Sequence, residues 1–224
     1  MFYDFHTHTF HSDGVLSPIE LIHRAFVKGY SAIAITDHLG LGSLARVIKE
    51  TSDDCALARA HWDIIAIPGV ELTHLPSEAI CDTAQKAKEL GAWVVVVHGE
   101  STVEPVPKGT NLAAARSPYV DILAHPGLIT PEEATLASQN GVFIELSGRR
   151  GHCITNHHVA SICKKQKARL LVNSDAHDED DLLTSALARD ILSKAGVSNR
   201  QYQQILKGNP LLLLDRIKKL TFSS

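Results

Sequence analysis

The sequence predicts an α/β fold whose parallel strands close into a barrel, and three observations carry that prediction. Seven short Val- and Ile-rich runs alternate with helical patterns along the chain. Each run is bounded by turn residues, as buried strands are. Histidines and carboxylates follow the runs in succession. An open sheet would spread such residues along a line, whereas a barrel gathers them at one mouth.

The elements are read in chain order. Phe2–Phe5 opens the chain as the first strand, and Ser17-Pro18-Ile19-Glu20 then combines a capping box with proline at the first helical position. Ala32–Thr36 is the second strand, followed by a helix over Leu44–Ala60. Ile64–Ile67 is the third, continuing through Val70-Glu71-Leu72. Pro76 opens a helix toward Leu90 that Gly91 stops. Trp93–Val97 is the fourth strand, with a helix over Asn111–Ser117, and Val120–Ala124 is the fifth. Thr130-Pro131-Glu132-Glu133 repeats the capping arrangement before the sixth strand, Val142–Leu146. A helix over Thr155–Lys167 leads to the seventh, Arg169–Val172. The tail reads helical, with a capping box at Ser198–Gln201 and a last amphipathic segment from Asn209-Pro210 to near Lys219. There is no internal linker or repeat, so residues 1–224 read as one domain.

Composition narrows the function classes. A hydrophobic content of 44% supports a packed core, and a formal charge of -3 without a basic block argues against a long nucleic-acid grip. The first residues lack the pattern of a signal peptide and no apolar run reaches membrane-spanning length. Cys55, Cys81, Cys153 and Cys163 form no CxxC pair and fit free thiols in a reducing cytosol.

The strand ends carry the chemistry. His6, His8 and Asp13 follow the first strand, Asp37 and His38 the second, and Glu71 the third. His98, His125 and Glu145 mark the fourth, fifth and sixth, and Asp175 and His177 the seventh. His6 and His8 are two apart and point to one face of a strand, and Asp175 and His177 share that spacing. Imidazole and carboxylate donors without thiolates suit zinc, manganese or iron. HxH alone is a weak signal, and a lone histidine after a strand is more often a hydrogen-bonded loop residue. Six of 13 histidines at successive strand ends, with carboxylates beside them, exceed what those bland readings produce. Nine donors are too many for one ion, so two or three divalent ions are expected, with Glu71 as the bridging carboxylate.

Asp4-Phe5-His6-Thr7-His8-Thr9, leading to Ser12-Asp13-Gly14, resembles the first motif of the PHP (polymerase and histidinol phosphatase) family. Ile35-Thr36-Asp37-His38 resembles its second motif and Gly69-Val70-Glu71 its glutamate motif. His98, Ala124-His125-Pro126 and Asn173-Ser174-Asp175-Ala176-His177 resemble the later ones, in the expected order from residue 4 to residue 177. The resemblance implies a distorted seven-stranded TIM-like β/α barrel with a trinuclear metal site at its C-terminal mouth. His6, His8, Glu71 and Asp175 would hold one ion, Asp13, His38 and His177 a second, and Glu71, His98 and His125 a third. His11 is the alternative to Asp13, because many family members use histidine near that point.

The implied activity is that of a phosphatase: hydrolysis of a small phosphomonoester, similar to histidinol phosphate, by attack of a water activated on the metals. Asp175 and His177 are the candidate catalytic residues. Arg149 and Arg150, just past the sixth strand, are the candidate grip on the substrate phosphate, since a guanidinium matches phosphate oxygens bidentately. Lys108 and Arg116 are weaker candidates. Glu100 is read as a loop carboxylate or as a group orienting a histidine, and His152 as a residue near substrate. The alternatives are a nucleotide phosphodiesterase or exonuclease, which an aromatic content of 5% does not favour, and a metal-stabilised accessory domain without turnover.

Overall fold

The computed structural model describes residues 2–221. Its strands are β1 (Phe2–Asp4), β2 (Tyr30–Ile35), the two-residue β3 (His38–Leu39), β4 (Ile65–Leu72), β5 (Val94–His98), β6 (Ile122–Ala124), β7 (Phe143–Ser147) and β8 (Leu170–Asn173). All pairings are parallel, along the path β1-β2-β4-β5-β6-β7-β8, with β3 adding to β4 beyond the end of β2. Seven strands therefore make the barrel. The two expected pieces of the third strand are one eight-residue strand, because Pro68 pairs with Ile35 without interrupting it.

Closure is made where the first and last strands meet. Thr7 and Ala176 form a parallel bridge, flanked by amide bonds from His8 to the Ala176 carbonyl at 2.8 Å and from Asp175 to the His6 carbonyl at 3.0 Å. The Phe5 amide donates to Asn173 Oδ1 at 3.0 Å and the Ser174 amide to Asp4 Oδ1 at 3.1 Å. Side chains thus replace ladder bonds at this seam, and the barrel is nearly rather than fully closed.

Alternation along the strands separates two apolar cores. Ile33, Ile35, Val70, Leu72, Val95, Val97, Ile144 and Leu146 face outward into the layer of helices. Ala32, Ala34, Ile67, Val94, Val96, Ile122 and Leu171 face inward and fill the barrel. The helices are α1 (Pro18–Val27), α2 (Leu44–His61), α3 (Ile80–Glu89), α4 (Thr110–Arg116), α5 (Pro131–Asn140), α6 (Asn156–Gln166), α7 (Ser185–Lys194), α8 (Asn199–Gln203) and α9 (Asn209–Thr221). The last has a separate task. Leu213, Leu214 and Ile217 of α9 join the inward core, with Tyr3 and Phe143 from the strand starts, so α9 floors the barrel. Arg216 fixes it there through Asp121 Oδ1 at 2.7 Å and the Gly141 carbonyl at 2.8 Å. With one mouth plugged by leucines, polar residues gather at the other.

Helix starts follow their capping chemistry with two corrections. Thr130 makes the full reciprocal box with Glu133. Ser17 caps Glu20's amide, but the Glu20 carboxylate turns to Arg24 at 3.0 Å instead of back to the cap. Ser198 does not accept from the helix; its hydroxyl donates to Gln201 Oε1 at 2.9 Å. The helix expected from Pro76 begins with a 3-10 turn over Ser77–Ala79 before α3. No helix of the described residues is long and apolar enough to cross a membrane.

Candidate metal centre at the barrel mouth

The inward register of each strand leads to a polar residue at its C-terminal end. Ile67 and Gly69 point the same way as Glu71, and Val94 and Val96 the same way as His98. Phe143 leads to Glu145 and Leu171 to Asn173. Two residues need a departure from extended backbone to reach the mouth. Ile122 and Ala124 face inward, so His125 would face out, but its φ of +25° turns it back. Asp175 has φ of +57°. Left-handed backbone at non-glycine residues is held only where surrounding structure determines it, and here both sit among the candidate donors. Gly14 allows the loop after β1 to fold over the mouth: a Cβ there would lie 2.4 Å from the His8 carbonyl oxygen.

Glu71 is the hub. Its Oε2 lies 2.6 Å from His38 Nδ1, 3.2 Å from His6 Nε2 and 3.6 Å from His8 Nε2, and its Oε1 lies 3.5 Å from His125 Nε2. Asp175 Oδ1 is 3.2 Å from His8 Nε2 and 3.9 Å from His6 Nε2. Potential ligand atoms within 4.8 Å of one another form overlapping groups: His6, His8 and Glu71; Glu71, His98 and His125; and His8, Asp13, His38 and His177. These groups hold eight of the nine expected donors, and Asp175 joins them through His8 and His6. His8 is also within reach of the group expected to be Asp13, His38 and His177 alone. Asp13 Oδ2 is 3.1 Å from His177 Nε2, whereas His11 turns toward Glu50 at 3.6 Å and belongs to none of the groups.

A fourth group joins Glu145 to His6, His125 and Asp175. Glu145 was legible as a strand-end residue but not as a member of the donor set. Its Oε2 is 2.7 Å from His6 Nδ1 and accepts from Asn173 Nδ2 at 2.9 Å. A carboxylate on one ring nitrogen orients the other toward a metal and raises its basicity.

Unpartnered atoms test whether this site suits cations. His6 Nε2, both ring nitrogens of His8, His98 Nε2, His125 Nδ1 and both oxygens of Glu71 are buried without a hydrogen-bond partner. Buried polar atoms normally have one, and leaving one bare costs about 1–3 kcal/mol. So many lone-pair atoms facing one space fit divalent ions of the nitrogen- and oxygen-loving kind.

The protonation pattern agrees. Burial opposes charge on Glu71, but the imidazoles of His6, His38 and His98 outweigh it and hold the carboxyl well below its ordinary range. Burial also opposes the proton on His38, yet the Glu71 charge raises that ring to about 9. Burial pushes His98 down to about 3 and His8 well below the usual histidine range, leaving their lone pairs free. Burial pushes Asp175 up to about 6. The carboxylates thus lean on imidazolium protons where a metal would serve both.

Around the donors, other expectations divide. Arg149 is half-buried at the rim, its Nη1 2.6 Å from His177 Nδ1 and 3.4 Å from the Asp175 carbonyl. Arg150 is exposed, and its side chain has no partner among the described residues. Arg116 pairs with Glu132 at 3.8 Å on the surface, and Lys108 is exposed. Glu100 orients no histidine; its Oε1 accepts the amides of Gly109 at 2.9 Å and Asn111 at 3.1 Å at the start of α4. Asp37 binds neither cluster nor helix, but accepts the Thr9 amide, the Thr9 hydroxyl and the Ser12 hydroxyl, fixing the loop that carries Asp13. His152 is buried with its ring 4.1 Å from that of His125. Glu104, which no sequence motif marks, reaches the site from the loop after β5. A cavity of about 430 Å³ lies elsewhere, between α6 and the turn before α9, and shares no residue with the donor groups.

Comparison with known proteins closes the identification. An uncharacterized protein of Methanocaldococcus jannaschii is 46% identical over 218 residues, covering 97% of this chain and all of that one. A probable phosphatase of Caldanaerobacter subterraneus subsp. tengcongensis is 30% identical over 201 residues, covering 78% of this chain and 75% of its own. The fold is similar to that of histidinol phosphate phosphatase from Lactococcus lactis, solved with zinc, L-histidinol and phosphate, at a TM-score of 0.59 and 15% identity over 88% of this chain and 94% of that one. The family profile of the PHP domain matches residues 4–142, the stretch that builds the barrel from Asp4 to the start of β7, and the chain belongs to that family.

Proposed function

We propose that the chain is a metal-dependent phosphoesterase acting on a small phosphomonoester. The observation that carries this reading is the set of bare, buried donor atoms converging on Glu71. His6, His8, Glu71 and Asp175 would hold one ion. Asp13, His38 and His177, with His8 in reach, would hold a second, and Glu71, His98 and His125 a third. Zinc, manganese and iron all match this donor chemistry. Bound ions of this kind lower the pKa of water and neutralise phosphoryl oxygens.

The chain's own residues supply the rest. Arg149 presents its guanidinium at the rim beside His177 and is the group placed to orient a phosphate. Asp175 and His177 face the same space and are proposed to handle the proton at the leaving oxygen. Glu145 holds His6 in register. Residues 1–224 act as one domain in this reading. The family relationship and the relative described as a probable phosphatase support it, and the Lactococcus lactis structure holding L-histidinol and phosphate makes a histidinol phosphate-like ester the first substrate to try.

The test is a panel of esters at equal concentration: histidinol phosphate, a generic aryl phosphate, nucleoside monophosphates and short oligonucleotides. Release of inorganic phosphate from a monoester, at a kcat/KM well above that on oligonucleotides, is expected. Cleavage of oligonucleotides with monoesters untouched would replace this reading with a phosphodiesterase.

A further inference from the structure

We propose that Glu104 is a further metal-directed carboxylate, supplied by the loop between β5 and α4, that completes the His98 side of the centre. The inference rests on the metal-dependent reading above. Glu104 Oε2 lies 3.3 Å from His98 Nε2 and 3.7 Å from His152 Nε2, and its Oε1 lies 3.9 Å from His74 Nε2. Three imidazoles from three different loops or strand ends therefore surround one carboxylate. No N–H or O–H group of the described residues hydrogen-bonds to it. The nitrogen it faces most closely, His98 Nε2, is buried and itself lacks a hydrogen-bond partner.

The bare, buried His98 Nε2 separates this arrangement from a chance surface ion pair, and the spacing leaves room for a shared ion. Two donors each about 2.1 Å from one tetrahedral ion lie roughly 3.4 Å apart. The His98–Glu104 separation of 3.3 Å matches that. The group Glu71, His98 and His125 offers three donors from strand ends; Glu104 lies outside that group and reaches it through His98.

The loop is built to present this side chain. At one end Glu100 is tied to the amides of Gly109 and Asn111. Next to Glu100, Ser101 Oγ sits 2.9 Å from His152 Nδ1 and accepts the Val103 amide at 3.3 Å. Val103 packs over Gly151, where an added Cβ would stand 3.3 Å from its methyl. Glu104 follows directly, half-exposed above the mouth. A donor on a loop differs from one on a strand: its ion is bound only when the loop is in place, so loading that ion and ordering residues 99–109 become one event.

The experiment is a chelator-competition titration of wild type, Glu104→Gln, His98→Ala and the double variant, with the metal-free thermal midpoint of each as a folding check. Glu104→Gln is expected to keep the wild-type midpoint and to bind one equivalent more than about 100-fold more weakly, beyond the roughly 10–100-fold that loss of an indirect partner costs. The double variant should lose no more than His98→Ala, because both changes act on the same ion. The loop should also become protected from limited proteolysis on metal loading in wild type and stay open in Glu104→Gln. Unchanged affinity for every equivalent in Glu104→Gln would overturn the proposal. A wild-type protein that binds no metal would instead overturn the underlying reading, and the two failures are distinct.

Discussion

Glu71 belongs to two of the four candidate donor groups and lies 2.6 Å from His38 of a third, so its replacement is the most informative single change. Glu71→Gln keeps the shape but removes the charge that the surrounding imidazoles stabilise. It is expected to cost at least one equivalent of bound metal after dialysis and more than about 100-fold in turnover, the effect of losing about 2.7 kcal/mol of transition-state stabilisation. Full metal content in that variant would remove Glu71 from the hub. The two arginines are expected to separate. Arg149→Ala should weaken inhibition by inorganic phosphate and raise KM about 10-fold or more, the cost of a charge-assisted hydrogen bond of about 1.5–3 kcal/mol, whereas Arg150→Ala should leave both near wild type. Equal effects in the two variants would contradict the rim geometry. The strand-end donors were readable because a strand's period of two fixes which side chains share a face. Glu104 was not, because it reaches the mouth along a loop whose course no periodicity encodes. His125 was expected from its place after a strand, although its inward turn depends on a backbone angle that the sequence does not announce.

Elements divide between those that hold the barrel and those that carry the site. The α9 helix is the clearest case of the first kind. Leu213 is fully buried in the barrel floor, and Leu213→Ala is expected to destabilise the fold by about 2–5 kcal/mol, as cavity-forming leucine truncations do. Denaturant unfolding measures it, and metal content should not change, because the floor and the mouth lie at opposite ends of the strands. A fall in metal content without a fall in stability would break that separation. The sequence marked α9 through Asn209-Pro210 and its amphipathic pattern, but it could not say that this helix closes the bottom of the barrel rather than joining the outer layer. The strands were placed within a residue or two at their ends. The exception is β3, two residues long, which re-pairs with β4 after Thr36 and Asp37 leave the ladder to hold the β1 loop.

At the scale of the whole molecule, one seam joins stability to the site. The first and last strands meet through Thr7, Ala176 and side-chain bonds from Asp4 and Asn173, and His6, His8 and Asp175 lie on that seam. An ion held by these residues would tie the barrel shut. Chelation is therefore expected to lower the thermal midpoint, and restoring free metal to about 100 times its Kd to return roughly 2.7 kcal/mol. An unchanged midpoint after complete removal would mean that the site contributes nothing to closure. The barrel itself was legible from seven runs and their polar ends, since convergence of donors demands closure. The incomplete ladder at the seam was not, because it depends on which side chains stand in for backbone partners.

The most direct measurement is turnover against metal bound, on one sample stripped by chelation and reloaded stepwise with zinc, manganese or iron. Phosphate release that is absent in the stripped protein and rises with the second or third equivalent is the predicted result. Turnover that persists without metal, or a fully loaded protein that hydrolyses no phosphate ester, would contradict the account.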